Sequence, residues 1–208
     1  MRRVVVLTLL ALALPIAAWA GGIDIKNRIG TVSITNAGIV STGSQLLQFG
    51  SVTTGTSLGS VSFRTGALIS GSVLSGGTFS AAGSSFVVMG VGQWAKTLTG
   101  ASNCGKGCAL FSGSFVGPVT WTLTGQTGQT RFYTLSGTIR GTLFNGRIVS
   151  GMTVQSITIA NNSQGKLGIG HINLSNTTFT VPEPGTLGLL GTGLVGLGGM
   201  FRRKLIGA

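Results

Sequence analysis

The chain has 208 residues, of which 37 are Gly, 14 are Lys or Arg and only 2 are acidic, giving a net charge of +12. That balance leaves almost nothing for acid–base catalysis by paired carboxylates, and it favours polyanionic partners. Once the two ends are set apart, roughly 160 residues remain, enough for one domain with its own core.

Met1 to Ala20 reads as a secretory signal. Arg2 and Arg3 form a positive start, Val4 to Ala18 is apolar, and Ala18-Trp19-Ala20 fits a small-x-small cleavage site. Signal peptidase is the expected partner. The alternative is an N-terminal membrane anchor. Arg2-Arg3 lacks the flanking residues of a twin-arginine signal, so ordinary Sec export is expected.

The passenger, residues 21–180, holds one carboxylate, Asp24. Against it stand nine bases: Lys26, Arg28, Arg64, Lys96, Lys106, Arg131, Arg140, Arg147 and Lys166. Such a surface attracts polyanions. Export argues against nucleic acid and for acidic exopolysaccharide or lipopolysaccharide. The plain alternative is that the charge only keeps the protein soluble.

Its pattern is strand throughout. Gly, Ser and Thr punctuate short apolar runs, and β-branched residues are frequent. Thr31 to Thr35 and Ser60 to Arg64 alternate cleanly. In Val119 to Thr124, Val119, Trp121 and Leu123 share one face, and Thr120, Thr122 and Thr124 share the other. Ser70 to Ser85 is Gly/Ser-rich and reads either as strand or as loop.

Arg131 to Phe144 is the longest alternating run. Tyr133, Leu135, Ile139 and Leu143 share a face with Gly137 and Gly141. A bend is expected at one of those glycines. Asn145-Gly146 follows, a strong hairpin signal in which both central residues take positive φ. From Met152 to Ile159 the apolar parity switches between Val154 and Ile157, which a β-bulge would accommodate. Gly170 to Leu174 and Thr177 to Val181 read as closing strands. The expected architecture is an all-β, antiparallel β-sandwich or roll. The alternative is a β-solenoid, although no constant repeat period is visible.

Cys104 and Cys108 are the only cysteines. Export places them in an oxidising space, and a disulfide closing a tight hairpin tip is expected. A metal site lacks ligands, because the single His171 is distant in sequence. A redox pair would have two intervening residues, and here there are three. No metal and no cofactor are expected.

Other chemical motifs are weak. Gly55-Thr56-Ser57-Leu58-Gly59 matches a nucleophile elbow, but such a match arises by chance in a Gly/Ser-rich chain. Gly191-Thr192-Gly193-Leu194-Val195-Gly196 matches a nucleotide loop inside an apolar tail. His171 reads as an ordinary strand residue beside Ile172. The passenger is not expected to be an enzyme.

Residues 181–208 close the chain in three parts. Val181-Pro182-Glu183-Pro184-Gly185 is a stiff turn. Thr186 to Phe201 is an uncharged apolar run, and Arg202, Arg203 and Lys204 stop it. An apolar run ended by basic residues reads as a single transmembrane helix with a cytoplasmic end. Sixteen residues of helix span roughly 24 Å against a bilayer core of about 30 Å, so a buried or interfacial tail is the physical alternative.

Val181 to Lys204 resembles the PEP-CTERM sorting signal of Gram-negative bacteria. The tripeptide, the short helix and the basic stop occur in the family's order at the extreme C-terminus. Pro182, Glu183 and Pro184 match the motif residue by residue. The resemblance implies recognition by exosortase, an integral-membrane cysteine transpeptidase or protease. It also implies a transient inner-membrane intermediate, followed by release to the cell surface or extracellular matrix. The tail addresses the protein and does not specify what the passenger does. The expected function is therefore a non-enzymatic surface or matrix protein associated with exopolysaccharide or biofilm. The alternative is a specific glycan- or ice-binding module. For it, the hydroxyl face of Thr120, Thr122 and Thr124, with Thr97 and Thr99 elsewhere, is the candidate site.

Overall fold

Strands built on period-two patterning pair here in one continuous antiparallel ladder. The structure is a computed structural model, and it describes residues 22–161 and 167–180. The expected signal 1–20, Lys166, and the sorting segment 181–208 with its Thr186–Phe201 helix lie outside the described residues. So do Pro182, Glu183, Pro184, Arg202, Arg203 and Lys204. Among the described residues, no helix is long and apolar enough to cross a membrane.

The elements are β1 (Ile23–Arg28), β2 (Thr31–Thr35), β3 (Gly38–Phe49), β4 (Val52–Thr53), β5 (Gly59–Arg64), β6 (Leu68–Ser72), β7 (Gly76–Phe79) and β8 (Ser85–Gly90). A helix α1 (Gly92–Thr99) precedes β9 (Cys108–Phe115), β10 (Val119–Thr127), β11 (Thr130–Leu143), β12 (Ile148–Asn161), β13 (Leu167–Ile172) and β14 (Ser175–Thr180).

Eight strands close a ring in the order β1-β3-β5-β8-β9-β11-β12-β14, and β14 returns to β1. Every pairing is antiparallel. The expectation of antiparallel β structure holds, but the ladders close into a barrel instead of separating into two stacked sheets. Closure removes the edges that a sandwich leaves open. The solenoid alternative is corrected too, since a solenoid coils parallel strands and none of these pairs is parallel.

The three longest strands change partners midway, and this lengthens the barrel. Residues 45–49 of β3 pair with β1, while residues 38–42 pair with β2. Residues 150–154 of β12 pair with β14, while residues 157–161 pair with β13. β2 and β13 pair with each other through Val32 and Gly170, so the wall stays closed where β1 and β14 end. Residues 139–143 of β11 pair with β9, and residues 130–136 pair with β10, which leads on to β7 and β6. Ser70 to Ser85 thus contributes a hairpin to the wall.

β11 alternates as its sequence predicts, with Tyr133, Leu135, Ile139 and Leu143 buried. It runs as one strand and exchanges partners at Gly137. Gly137 makes room for Phe115, and Gly141 first for the β9 backbone at Ser112 and Gly113 and then for Phe111. A Cβ on Gly137 would stand 2.8 Å from Phe115 Cδ1, and one on Gly141 2.7 Å from Phe111 Cζ. Such separations are too short for real atoms, so packing accounts for both glycines.

β12 corrects the expected bulge. Its pairing to β11 is unbroken from Ile148 to Ala160. Val149, Thr153, Gln155, Ile157 and Ile159 all point inward. The parity switch arises because polar Thr153 and Gln155 are fully buried while Met152 and Val154 are 55% and 41% exposed.

The Asn145-Gly146 hairpin forms, but with a different turn. Among the described residues, only Gly146 of the pair has positive φ, at 79°. Gly146 N–H donates to Leu143 C=O at 2.9 Å, and Leu143 N–H donates to Arg147 C=O at 2.9 Å. This is a three-residue loop, a type I turn followed by Gly in the left-handed region, instead of a two-residue type I′ turn.

The apolar core is aromatic. Phe63, Phe86, Phe111 and Phe115 contact one another with ring centroids 6.1 to 6.4 Å apart. Phe111 also meets Phe179 of β14 at 4.3 Å. Burying each ring stabilises by about 1.5–3 kcal/mol. At the far end, Trp121 and Tyr133 stack at 4.3 Å with planes 10° apart. Trp121 Nε1 donates to Val73 C=O at 3.0 Å and Tyr133 OH to Leu74 C=O at 2.8 Å. The β6–β7 turn is thereby tied across that end.

Helix α1 was not expected. Thr97 and Thr99 belong to it, and their hydroxyls donate back to the carbonyls of Gln93 and Ala95. They form no part of a strand face.

Candidate functional site

The outer wall from β6 to β1 carries hydroxyls in rows. Thr120 of β10 stands between Thr78 of β7 and Ser136 of β11. The same row continues to Ser70 on one side, and to Val154, Asn176 and Lys26 on the other. A second row places Thr122 beside Thr134, and Thr134 beside Ser156. Neighbouring strands lie about 4.8 Å apart, and alternate residues on one face are about 6.8 Å apart. A carpet of hydroxyls at that spacing offers many weak donors and acceptors to a polyhydroxylated ligand.

Apolar groups interrupt the carpet. Phe132, Val154 and Met152 are 37%, 41% and 55% exposed. Thr138, Ser150, Gly151, Met152, Thr178 and Thr180 line a shallow open depression there. Mixed hydroxyl and apolar surface suits the two faces of a sugar ring. Sequence reading found the three threonines of β10 but missed Thr78, Thr134, Ser136 and Ser156 beside them. Their alternation was visible within each strand, whereas the register that aligns them is set by long-range pairing.

The positive charge is spread around the barrel. Lys26 and Arg28 face outward on β1, Arg64 on β5 and Arg140 on β11, all exposed. Lys96 lies on α1, Lys106 in the following loop and Arg147 in the β11–β12 turn. Arg131 is half-buried, and its Nη1 donates to Leu74 C=O at 3.2 Å. Asp24, the only acid of the described residues, accepts from Thr178 Oγ1 at 2.9 Å.

Cys104 and Cys108 are joined by a disulfide with Cα atoms 5.1 Å apart. It lies in the connection from α1 to β9, not at a hairpin tip. Cys104 is buried, and its carbonyl accepts from the Gly107 N–H at 3.0 Å. The bridge closes the loop that follows α1 onto the start of a barrel strand, where Cys108 pairs with Gly90.

Asp24 and His171 are not brought together. The Asp24 carbonyl accepts from Gly50 N–H, just past one end of β3. His171 pairs with Thr31, which stands opposite Thr42 of β3. Roughly 25 Å of strand separates those levels. Ser57 is exposed in the β4–β5 loop, and its hydroxyl donates to Gly59 C=O at 2.7 Å. Among the described residues, no three His, Cys, Asp or Glu side chains converge on a common point.

No curated protein and no solved structure matches the chain. The last residue of β14, Thr180, is where recognisable kinship begins. Residues 180–204, spanning Pro182-Glu183-Pro184 and the Arg202-Arg203-Lys204 stop, match the PEP-CTERM protein-sorting motif, so the chain carries the sorting signal of an exported exosortase substrate.

Proposed function

We propose that the barrel is a non-enzymatic matrix protein which exosortase delivers to the cell surface and which associates there with acidic exopolysaccharide. The sorting motif implies export, a membrane-anchored intermediate and exosortase processing. The observation that supports the polysaccharide reading is the charge distribution. Eight described bases are arranged around a barrel whose one described carboxylate cannot neutralise them. A polyanion of regular charge spacing lowers that self-repulsion wherever it touches, and no shaped pocket is required.

The test is retention of residues 21–180 on an acidic polysaccharide such as alginate, with neutral dextran as the control, across a salt series. Binding to the acidic polymer alone, lost by moderate salt, is the expected result. Equal retention on dextran, unaffected by salt, would overturn it.

That second outcome would favour specific glycan binding by the hydroxyl face, which the aligned Thr78-Thr120-Ser136 row supports. Ice binding is the weaker form of this reading. A flat lattice match needs a flat array, and a sheet closed into a barrel is twisted and coiled.

A further inference from the structure

Arg140 stands in the middle of the outer wall. Its row runs Ser114, Arg140, Ser150, Thr180 across β9, β11, β12 and β14. The next row runs Thr138, Met152, Thr178, Asp24 across β11, β12, β14 and β1. Directly opposed residues have Cβ atoms about 4.5–5.5 Å apart. Arg140 therefore flanks the depression that Thr138, Ser150, Met152 and the two β14 threonines line.

The guanidinium of Arg140 is exposed and has no acceptor among the described residues. The one described carboxylate, Asp24, lies three strands away on β1 and is engaged by Thr178. The hydroxyls around the depression divide into two kinds. Thr178 and Thr180 are committed, donating to the Asp24 carboxylate and to Ser150 C=O. Thr138 and Ser150 hydroxyls bond to no other described group. Apolar surface completes the patch. Met152 is 55% exposed beside Thr138, and Val116, whose N–H donates to Thr138 C=O at 2.8 Å, is 51% exposed.

These three features match one kind of ligand. A guanidinium takes a carboxylate through two parallel N–H···O bonds. Free hydroxyls exchange hydrogen bonds with sugar hydroxyls, and a flexible Met adapts to an apolar C–H face. A uronic acid unit carries a carboxylate, hydroxyls and such a face together. A second copy of this chain is a poor occupant, because both copies would bring the same net charge of +12.

Resting on the acidic-polysaccharide reading above, we propose that this depression is a subsite for one uronate unit of the polymer. Arg140 holds the carboxylate, Thr138 and Ser150 meet the ring hydroxyls, and Met152 lies under the ring. The diffuse charge of the barrel gathers the polymer, and this subsite fixes its register on β11 and β12.

The experiment titrates the full-length chain in detergent with an alginate trisaccharide and, as its uncharged match, the methyl ester of the same trisaccharide, followed by nuclear magnetic resonance. The acid should move the Met152 methyl signal, and the ester should bind at least tenfold more weakly. Arg140→Gln should weaken the acid about tenfold, while Arg64→Gln, an equal loss of charge on a strand opposite β12 in the ring, should weaken it less than about twofold. Equal small losses in the two variants, or equal binding of acid and ester, would overturn the subsite. Retention on polymeric alginate with no shift of Met152 would also overturn it while leaving the acidic-polysaccharide reading intact. No retention on alginate and no trisaccharide binding would overturn both.

Discussion

Asn27 and Gln155, 128 residues apart in sequence, face each other inside the barrel. Asn27 Nδ2 donates to Gln155 Oε1 at 2.9 Å. Asn27 Nδ2 also reaches Ser44 Oγ at 2.8 Å, and Gln155 Nε2 donates to Thr153 Oγ1 at 2.8 Å. Thr153 in turn meets Thr177. Four strands, β1, β3, β12 and β14, are thereby joined through side chains as well as backbone. All five side chains are fully buried. Buried polar groups favour a fold only when satisfied, and these satisfy one another.

Gln155→Leu should therefore destabilise the barrel, since Asn27 and Thr153 each lose one buried partner and keep only Ser44 and Thr177. The expected loss is about 1–3 kcal/mol in urea unfolding. Val154→Thr, one residue away on the outer face, should change stability by less than about 0.5 kcal/mol. If Gln155→Leu were the stabilising change of the two, the inward assignment of β12 would be wrong.

Gly146→Val should cost about 1 kcal/mol or more, because a β-branched residue resists the φ of 79° found there. Gly146→Asn should cost less, since Asn tolerates the left-handed region. Thermal melts of the two variants would separate them. A Val variant that melts with the natural protein would argue against this turn.

How much of this was legible beforehand depended on which face carried the apolar residues. β11 obeyed the rule, with apolar groups inside and hydroxyls outside, and its parity was read correctly. β12 broke the rule twice, with Thr153 and Gln155 inside and Met152 and Val154 outside, so it imitated a bulge. Closure into a barrel was not legible at all. It depends on β1 meeting both β3 and β14, and no local pattern encodes such a pairing. Helix α1 is only eight residues long, and its N-cap Val91 makes no side-chain cap hydrogen bond. It therefore lacked the start signal that sequence reading relies on.

The β6–β7 turn, which Arg131 also holds through Leu74 C=O, should loosen when either of its two aromatic tethers is cut. Tyr133→Phe removes the hydroxyl that donates to Leu74 C=O, and Trp121→Phe removes the indole N–H that donates to Val73 C=O. Each should cost about 1 kcal/mol, and more for Trp121 because volume is lost as well. Hydrogen exchange should quicken at residues 71–76 in both variants. Unchanged protection there would show that the aromatic tethers do not hold the turn.

Exported protein should contain no free thiol. Labelling under denaturing, non-reducing conditions is expected to leave Cys104 and Cys108 unmodified. Replacing both with Ala should cost about 2 kcal/mol, the loop entropy of so short a closure. Quantitative labelling of both residues would refute the bridge.

A chain that enters its compartment N-terminus first meets a problem of timing. The neighbours of β1 are β3, which follows soon after, and β14, which arrives last. Until β14 emerges, β1 and β12 each present an unpaired edge, and Phe111 lacks the ring of Phe179. Contacts of such long sequence separation form slowly, and open edges invite pairing with other chains. A holding factor in that compartment would shorten that exposure, and a truncation before Ser175 should yield aggregate in place of a smaller soluble barrel.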